Sequence, residues 1–188
     1  MGILQRKTNP YALTADEFYA FTESRPDGEK WELIEGKPVL SPSANHVHQT
    51  IVGNLIFALR LRRTAVWEVI PGIGVVVSET SIPIPDVLVR PAGRLDDWKC
   101  NDMIVAFEVL SPSTADHDLR WKRKAYPELA SMQHYVVVAQ DEPEIVVFDR
   151  ASGFAERRIE GLDMQLDLPA LGIAIALADI YLKTGLES

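Results

Sequence analysis

Two stretches of the sequence, SIPIPDVLVR at residues 81–90 and DMIVAFEVL at residues 102–110, decide how the chain folds. Both have the β-branched and aliphatic composition of strands, whose side chains alternate between two faces. This alternation places Asp86 and Glu108 within apolar stripes, whose other members are Ile82, Ile84 and Leu88 in the first stretch and Ile104, Ala106 and Leu110 in the second. An isolated buried carboxylate costs several kcal/mol. The two acids therefore require a cation, which is a lysine, an arginine or a metal ion.

The composition is that of one globular domain spanning residues 1–188. Hydrophobic residues make up 47% of the chain and charged residues 24%, and this length is enough for one sizeable core. The single cysteine, Cys100, excludes an internal disulfide and fits a reducing compartment. The start of the chain has no signal-like apolar core, and the longest apolar stretch, residues 168–182, contains Asp179 and is too short for a membrane span. We therefore expect a cytoplasmic protein without a membrane partner.

The net charge of −8 and the pI near 5.0 argue against binding of nucleic acid by the whole surface. Local basic sites are still present in the sequence. One basic cluster comprises Arg120, Lys122, Arg123 and Lys124, and a second comprises Arg60, Arg62 and Arg63. The acidic balance of the whole chain is therefore compatible with a local basic site.

Helix and strand signals follow one another along the first two thirds of the chain. Thr14 and Glu17 form a capping box that predicts a first helix, and WELIEGKPVL at residues 31–40 predicts a strand pair with a Glu-Gly turn. A second helix is predicted by an apolar stripe at i+4 spacing, which consists of Val47, Ile51, Leu55 and Leu59. A third helix is predicted after the strand that holds Glu108, and Pro127 ends or kinks it.

Strand signals dominate the last third. Three successive strands are predicted at HYVVVAQ, PEIVVFDR and FAERRIEG, which are residues 134–140, 143–150 and 154–161. The last two form a hairpin, and residues 172–181 add a short strand and a turn of helix. The fold class is therefore α/β (α+β), with a mixed β-sheet flanked by helices. The apolar segment IVVF at residues 145–148, interpreted as a sheet edge, indicates a homodimer.

The two acids are predicted to meet. Asp86 and Glu108 lie near the ends of consecutive strands, and consecutive strands are usually neighbours in a sheet. Paired carboxylates are ligands that suit Mg²⁺ or Mn²⁺, and the backbone carbonyl of Val109 is a candidate third ligand. In the following helix, Lys122 shares a face with Asp118 and Tyr126 by i+4 spacing, so its flexible side chain can reach the acids.

These motifs resemble a known family. The sequence has Pro85-Asp86, then a strand ending in FEVLSPST, then D-x3-K-x3-Y at residues 118–126, preceded by WELIEGKPVLSP and HQTIVGNL. This order is similar to the Uma-type family of putative restriction endonucleases, within the PD-(D/E)XK nuclease superfamily. The resemblance implies a single domain with a restriction-endonuclease-like core.

The resemblance also implies roles for particular residues. Asp86 and Glu108 match the metal-binding acids, and Glu32 matches the early glutamate of the superfamily. Leu110 stands where the superfamily usually has its lysine, and Lys122 matches a variant in which that lysine has moved to the following helix. His48, rather than His46, matches the family's histidine, with Tyr126 as a further supporting residue.

The implied activity is that of a metal-dependent endonuclease that uses Mg²⁺ or Mn²⁺ to hydrolyse phosphodiester bonds of nucleic acid, with DNA as the first candidate. In this interpretation Lys122 orients or deprotonates a water and stabilises charge on phosphorus, and Glu32 holds a second metal or a water of the first. The flanking phosphates would contact Arg120, Arg123 and Lys124.

Other interpretations of the same residues remain open. Asp86 suits a turn after proline, and Glu108 suits a structural salt bridge with Lys122 or an arginine. Lys122 suits an exposed helix pair with Asp118, and Glu32 suits a solvent-facing strand position. His48 suits a helix-start or core position, and Tyr126 suits packing. The basic run suits a solvated helix face. At the level of function, the alternatives are a catalytically inactive nuclease fold that acts as a binding or regulatory module, and a hydrolase for a small phosphorylated substrate or a glycoside.

Overall fold

The computed structural model describes residues 11–41, 43–62, 64–95, 100–110 and 115–187, with the side chains of 115–119 excepted. The helices are α1 (Ala15–Glu23), α2 (His46–Leu61), α3 (Ala115–Ala125) and α4 (Leu177–Ile180), with 3₁₀ turns at Tyr126–Glu128 and Arg150–Ser152. The strands are β1 (Trp31–Ile34), β2 (Lys37–Leu40), β3 (Trp67–Pro71), β4 (Val87–Pro91), β5 (Val105–Leu110), β6 (His134–Ala139), β7 (Glu144–Asp149), β8 (Glu156–Glu160), β9 (Gln165–Leu168) and β10 (Ile173–Ala176).

The main sheet has six strands in the order β3-β4-β5-β6-β7-β8. Neighbours pair antiparallel except for β5 and β6, which are parallel and are joined through α3. A parallel pair needs a crossover connection, and the helix after Glu108 supplies it. The predicted mixed sheet flanked by helices is therefore confirmed, and β1-β2 and β9-β10 form separate two-stranded hairpins.

The central strand β5 divides the core into two layers. Val105, Phe107 and Val109 pack into the cluster that includes the apolar stripe of α2. Ala106 lies in the opposite cluster with Tyr126, on the face where Glu108 also projects by the alternation of the strand. Glu108 therefore faces the segment that joins α3 to β6, which contains Tyr126.

The predicted stripe around Asp86 is wrong in one respect, because β4 begins only at Val87. Pro83 and Pro85 have no N–H to donate to a ladder, so the segment before β4 leaves the sheet. Ile82 pairs instead with Leu33 of β1 through reciprocal backbone hydrogen bonds of 2.7 and 3.1 Å. Asp86 thus occupies the entrance to a strand rather than its interior.

The sheet topology corrects one further expectation and adds one strand. The segment IVVF is not an edge, because β7 pairs with β6 on one side and β8 on the other. Its residues Ile145, Val147 and Phe148 are buried within the protein, so these three side chains are not available to a second copy. The strand β9 was not predicted, since QLDL is short and its pairing with β10 is what defines it.

Within the residues that the structure describes, no helix has the length and apolarity needed to span a membrane.

Candidate active site

A cleft of about 690 Å³ opens where the start of α2, the β1-β2 hairpin and the ends of β5 and β6 meet. Its lining brings together six residues singled out from the sequence: Glu32, His48, Asp86, Glu108, Val109 and Lys122. These residues come from five separate segments of the chain, since only Glu108 and Val109 share one. The cleft is within the size range of small-molecule and nucleotide sites.

Asp86 stands at the wall of the cleft and is held on both carboxylate oxygens. Oδ2 accepts a hydrogen bond of 2.9 Å from the backbone N–H of Val109. Oδ1 lies 3.2 Å from Nζ of Lys30 and 3.5 Å from Nε2 of His48. The contact with Val109 crosses from the entrance of β4 to the end of β5 and so fixes Asp86 beside the strand that carries Glu108.

His48 reaches Asp86 because of how α2 begins. Asn45 is the N-cap of this helix, and its Oδ1 accepts a hydrogen bond of 2.9 Å from the N–H of His48. The cap places His48 in the first turn, on the side that faces the cleft.

Burial raises the pKa of Asp86, but its partners overcome that effect. The hydrogen bond from His48, the positive charge of Lys30 and the N–H of Val109 together lower the pKa to about 2 from its usual 3.8. The Asp86 side chain is therefore an anion at neutral pH, as a ligand for a cation requires.

The low pKa of Asp86 predicts a specific dependence of stability on pH. A carboxyl whose pKa is lower in the folded state stabilises the protein above its unfolded pKa, and that contribution is lost as the pH falls. Between about pH 4 and pH 2, the wild type should lose about 2 kcal/mol of unfolding free energy more than Asp86→Asn, since the pKa falls from 3.8 to about 2. Urea unfolding in EDTA at several pH values measures this, and parallel curves for the two proteins would contradict it.

Lys122 lies between two buried carboxylates. Its Nζ is 3.0 Å from Oε1 of Glu108 and 3.1 Å from Oε1 of Glu32. All three side chains are almost fully buried, with the lysine side chain only 3% exposed. Burying three ionised side chains is costly unless each is paired with an opposite charge. Here the ammonium group of Lys122 is the shared partner of both carboxylates.

Further hydrogen bonds fix the two acids around Lys122. The hydroxyl of Tyr126 donates to Oε1 of Glu108 at 2.9 Å. Burial, followed by the charge of Glu108, raises the pKa of Tyr126 well above its usual value, so the phenol stays neutral and remains a donor. Glu32 accepts at Oε1 from the N–H of Ile84 at 2.6 Å and at Oε2 from Oγ of Ser41 at 3.3 Å.

The prediction that Lys122 and Tyr126 share a face agrees with this geometry, because both contact Glu108. Tyr126 begins a 3₁₀ turn immediately after α3, and Pro127 follows within that turn. The side chain of Asp118, the third residue of the predicted face, lies outside the described residues.

The three basic residues predicted to bind nucleic acid are not part of this lining. Among the described residues of the cleft, Lys122 is the sole member of the basic run. Arg120 and Lys124 are exposed. Arg123 lies 3.3 Å from Oε2 of Glu156, and its guanidinium carbon lies 4.5 Å from the ring centre of Phe148. The helix therefore presents one lysine inward and the other basic side chains outward.

Two polar contacts of the site were not anticipated from the sequence. Lys30 donates a hydrogen bond to Asp86, which is 56 positions away in the sequence. Ser41, at the end of the β1-β2 hairpin, donates a hydrogen bond to Glu32. A weak signal exists for Lys30, since it immediately precedes the strand that carries Glu32. Only the pairing of that strand with the segment around Ile82 brings it to Asp86.

The donors of the cleft fit a hard divalent cation. Asp86 and Glu108 offer carboxylate oxygens to the cleft. The carbonyl of Leu110 faces β6, where it accepts a hydrogen bond from the N–H of Gln140. Because successive carbonyls along a strand point to opposite sides, the carbonyl of Val109 points the other way, toward Asp86. Mg²⁺ and Mn²⁺ take such ligands and keep several waters. In the described part of the chain, no three His, Cys, Asp or Glu side chains form a ready-made cage. The cleft therefore suits an ion that takes a few ligands from the protein and completes its coordination with water.

Comparison with known proteins agrees with this architecture. A family model named Uma2 and described as putative restriction endonuclease matches residues 15–178. The crystal structure of a putative nuclease belonging to DUF820, from Anabaena variabilis ATCC 29413, has a TM-score of 0.70 and 17% sequence identity, with 90% of this chain and 97% of that chain covered. The TM-score of 0.70 indicates that the two proteins share a fold. No curated protein matches the chain.

Proposed function

Because the chain belongs to the Uma2 family of putative restriction endonucleases, as its sequence motifs predict, we propose that it is a metal-dependent endonuclease that hydrolyses phosphodiester bonds of nucleic acid. One observation carries the proposal. The carboxylates of Asp86 and Glu108 and the ammonium group of Lys122 line the same cleft, although they come from three different segments. Carboxylates that can hold a cation, beside a positively charged donor, form an arrangement that supports metal-assisted phosphodiester hydrolysis.

Asp86, Glu108 and the carbonyl of Val109 are the residues that would hold Mg²⁺ or Mn²⁺. When bound, such an ion supplies the Lewis acidity that polarises a phosphate and favours deprotonation of water. Asp86 is suited to this role because its low pKa keeps it ionised, and the Val109 N–H fixes its orientation.

Lys122 is the group that acts on water and phosphate. As a donor at the cleft wall it orients the attacking water and stabilises the negative charge that builds on the phosphoryl oxygens. Its two carboxylate partners, at 3.0 and 3.1 Å, fix the position of Nζ. A lysine held in this way needs little reorganisation when charge develops.

Glu32 and Tyr126 act as positioning residues in this proposal. Glu32 is bonded to Lys122, to the N–H of Ile84 and to Ser41, so its oxygens hold the lysine and the adjacent backbone rather than a second ion. Tyr126 holds Glu108 by donating to Oε1. His48 supports Asp86 from α2.

The substrate is nucleic acid, with DNA the first candidate, and contacts to flanking phosphates fall to the outer face of α3. Arg120, Arg123 and Lys124 are all exposed there, and Arg123 also lies 3.3 Å from Oε2 of Glu156. The homodimer remains a prediction that sedimentation velocity can check.

A second candidate function is a binding or regulatory module that retains the fold without catalysis. The charge of the cleft favours it, since the described lining holds four acids, Glu29, Glu32, Asp86 and Glu108, against two lysines, Lys30 and Lys122. A protein that binds duplex DNA usually presents a larger basic surface.

A cleavage assay distinguishes the two functions. Purified protein is incubated with single-stranded and duplex DNA and with RNA, with Mn²⁺, with Mg²⁺ or with EDTA. The endonuclease proposal predicts cleavage of at least one substrate in the presence of metal and none in EDTA. Cleavage that persists in EDTA would exclude the metal-dependent mechanism, and binding without cleavage of any substrate would favour the module.

A further inference from the structure

Lys30 differs from the other lysine of the cleft in its exposure and in its partner. It precedes β1, and its Nζ lies 3.2 Å from Oδ1 of Asp86. Its side chain is 36% exposed, whereas that of Lys122 is 3% exposed. Lys122 is thus fixed inside the protein between two acids, while Lys30 contacts one carboxylate from the rim of the cleft.

The main chain of Lys30 is anchored although its side chain reaches solvent. Its carbonyl accepts a hydrogen bond of 2.8 Å from the N–H of Ser41, which ties it to the end of the β1-β2 hairpin. A lysine side chain has a flexible stem of four carbons, so Nζ can move by several ångströms while the backbone stays in place. The contact with Asp86 is therefore one that can be broken locally.

The two oxygens of Asp86 are not equivalent. Oδ2 is turned toward the backbone N–H of Val109, a fixed part of the sheet. Oδ1 is the oxygen shared by Lys30 and His48, two side chains that line the cleft. A cation that enters the cleft would meet Oδ1, and it would then be placed beside the ammonium group of Lys30. Two positive charges at one carboxylate oxygen repel each other, so binding of the cation weakens the contact with Lys30.

We propose that Lys30 and a divalent cation compete for Oδ1 of Asp86, and that the displaced lysine binds a phosphate group of the nucleic acid. This inference rests on the proposed function, because it assumes that Asp86 is a metal ligand. Lys30 then holds the carboxylate of Asp86 in the metal-free protein and contacts a phosphate in the protein that has bound metal. The cleft holds only one other lysine among its described lining residues, and that lysine is buried between acids.

Competition of this kind couples the metal to the substrate. A phosphate that attracts Lys30 away from Asp86 makes metal binding easier, and a metal that displaces Lys30 makes the lysine available to phosphate. Linkage requires the two effects to be equal in size. The wild-type protein should therefore bind Mn²⁺ more tightly when an oligonucleotide is present, and the increase should depend on Lys30.

Calorimetric titration of Mn²⁺ into wild type, Lys30→Gln and Lys37→Gln tests the inference. Lys37 is exposed on β2 and does not line the described cleft, so it serves as a matched loss of one charge. Each titration is repeated with an uncleavable phosphorothioate oligodeoxynucleotide. We expect Lys30→Gln to bind Mn²⁺ alone about fivefold more tightly than wild type, and the oligonucleotide to tighten Mn²⁺ binding about fivefold in wild type but less than about twofold in Lys30→Gln.

Lys37→Gln should follow the wild type in every titration, and Lys30→Arg, which keeps the charge, should also retain the coupling. Equal Mn²⁺ affinity in Lys30→Gln and wild type would overturn the inference, as would the same tightening by oligonucleotide in both. The competition is measured without turnover, so it can hold in a protein that cleaves nothing, in which case only the proposed function fails. Absence of Mn²⁺ binding in both proteins overturns both proposals.

Discussion

The Lys122→Met protein is expected to lose about 3 to 5 kcal/mol of unfolding free energy and to show no measurable cleavage. The substitution removes the positive charge that lies within 3.1 Å of both Glu32 and Glu108. The two acids, each almost fully buried, are then left without this cation. Urea unfolding monitored by circular dichroism measures the loss of stability, and the cleavage assay measures the loss of activity at a temperature where the variant is folded.

Two control variants separate the stability effect from the catalytic one. Lys124→Met removes a charge from the exposed side of the same helix and should change stability by less than about 0.5 kcal/mol. Lys122→Met combined with Glu32→Gln removes one of the two uncompensated acids, so it should recover part of the stability but none of the activity. Wild-type stability in Lys122→Met would mean that the lysine does not compensate these acids, and full activity would mean that it has no catalytic role.

The Asp86→Ala protein is expected to bind Mn²⁺ at least about a hundredfold more weakly than wild type and to lose cleavage. The partners of Asp86 lower its pKa to about 2, so it is ionised at neutral pH, and the N–H of Val109 holds it in place. The substitution removes both its charge and its oxygen atoms, whereas Lys122 remains between Glu32 and Glu108. Isothermal titration calorimetry gives the affinity.

Asp179→Ala provides the matched control, because it removes a carboxylate that is 54% exposed and paired with Arg62 outside the described cleft. This variant should bind Mn²⁺ as the wild type does. If Asp86→Ala bound Mn²⁺ with unchanged affinity, Asp86 would not be a ligand, and its contacts with Lys30 and His48 would have to be explained as structural.

Local signals in the sequence were sufficient for most of the individual elements. The Thr14–Glu17 capping box is present at the start of α1, with both reciprocal hydrogen bonds. The turn of the β1-β2 hairpin is formed by Glu35 and Gly36, both with positive φ. The central position of β5 follows from its apolar character on both faces. Each of these features depends on neighbours within a few residues, which is the range over which sequence patterns act.

The contacts that assemble the site depend on the tertiary structure and were predicted less completely. The sequence predicted that Lys122 would reach Glu108, because helix α3 follows β5 directly and must pack near it. The family resemblance placed Glu32 in the site, as a residue that holds a second metal or a water, but it did not predict that Glu32 would contact Lys122. Nor was the contact of Lys30 with Asp86 predicted. Those contacts require the β1-β2 hairpin to pair with the proline-interrupted segment before β4, through Leu33 and Ile82. Periodicity defines the face of each element, but it does not specify which distant segments pair.

The most direct test of the account is to locate the metal. Crystals grown with Mn²⁺ and measured near its absorption edge give an anomalous difference map in which the ion is identified by its own scattering. We predict a peak in the cleft, in contact with the carboxylates of Asp86 and Glu108 and within reach of the Val109 carbonyl, with Nζ of Lys122 on the same wall. A map without a peak in this cleft at saturating Mn²⁺, or a peak held by other residues alone, would contradict the account.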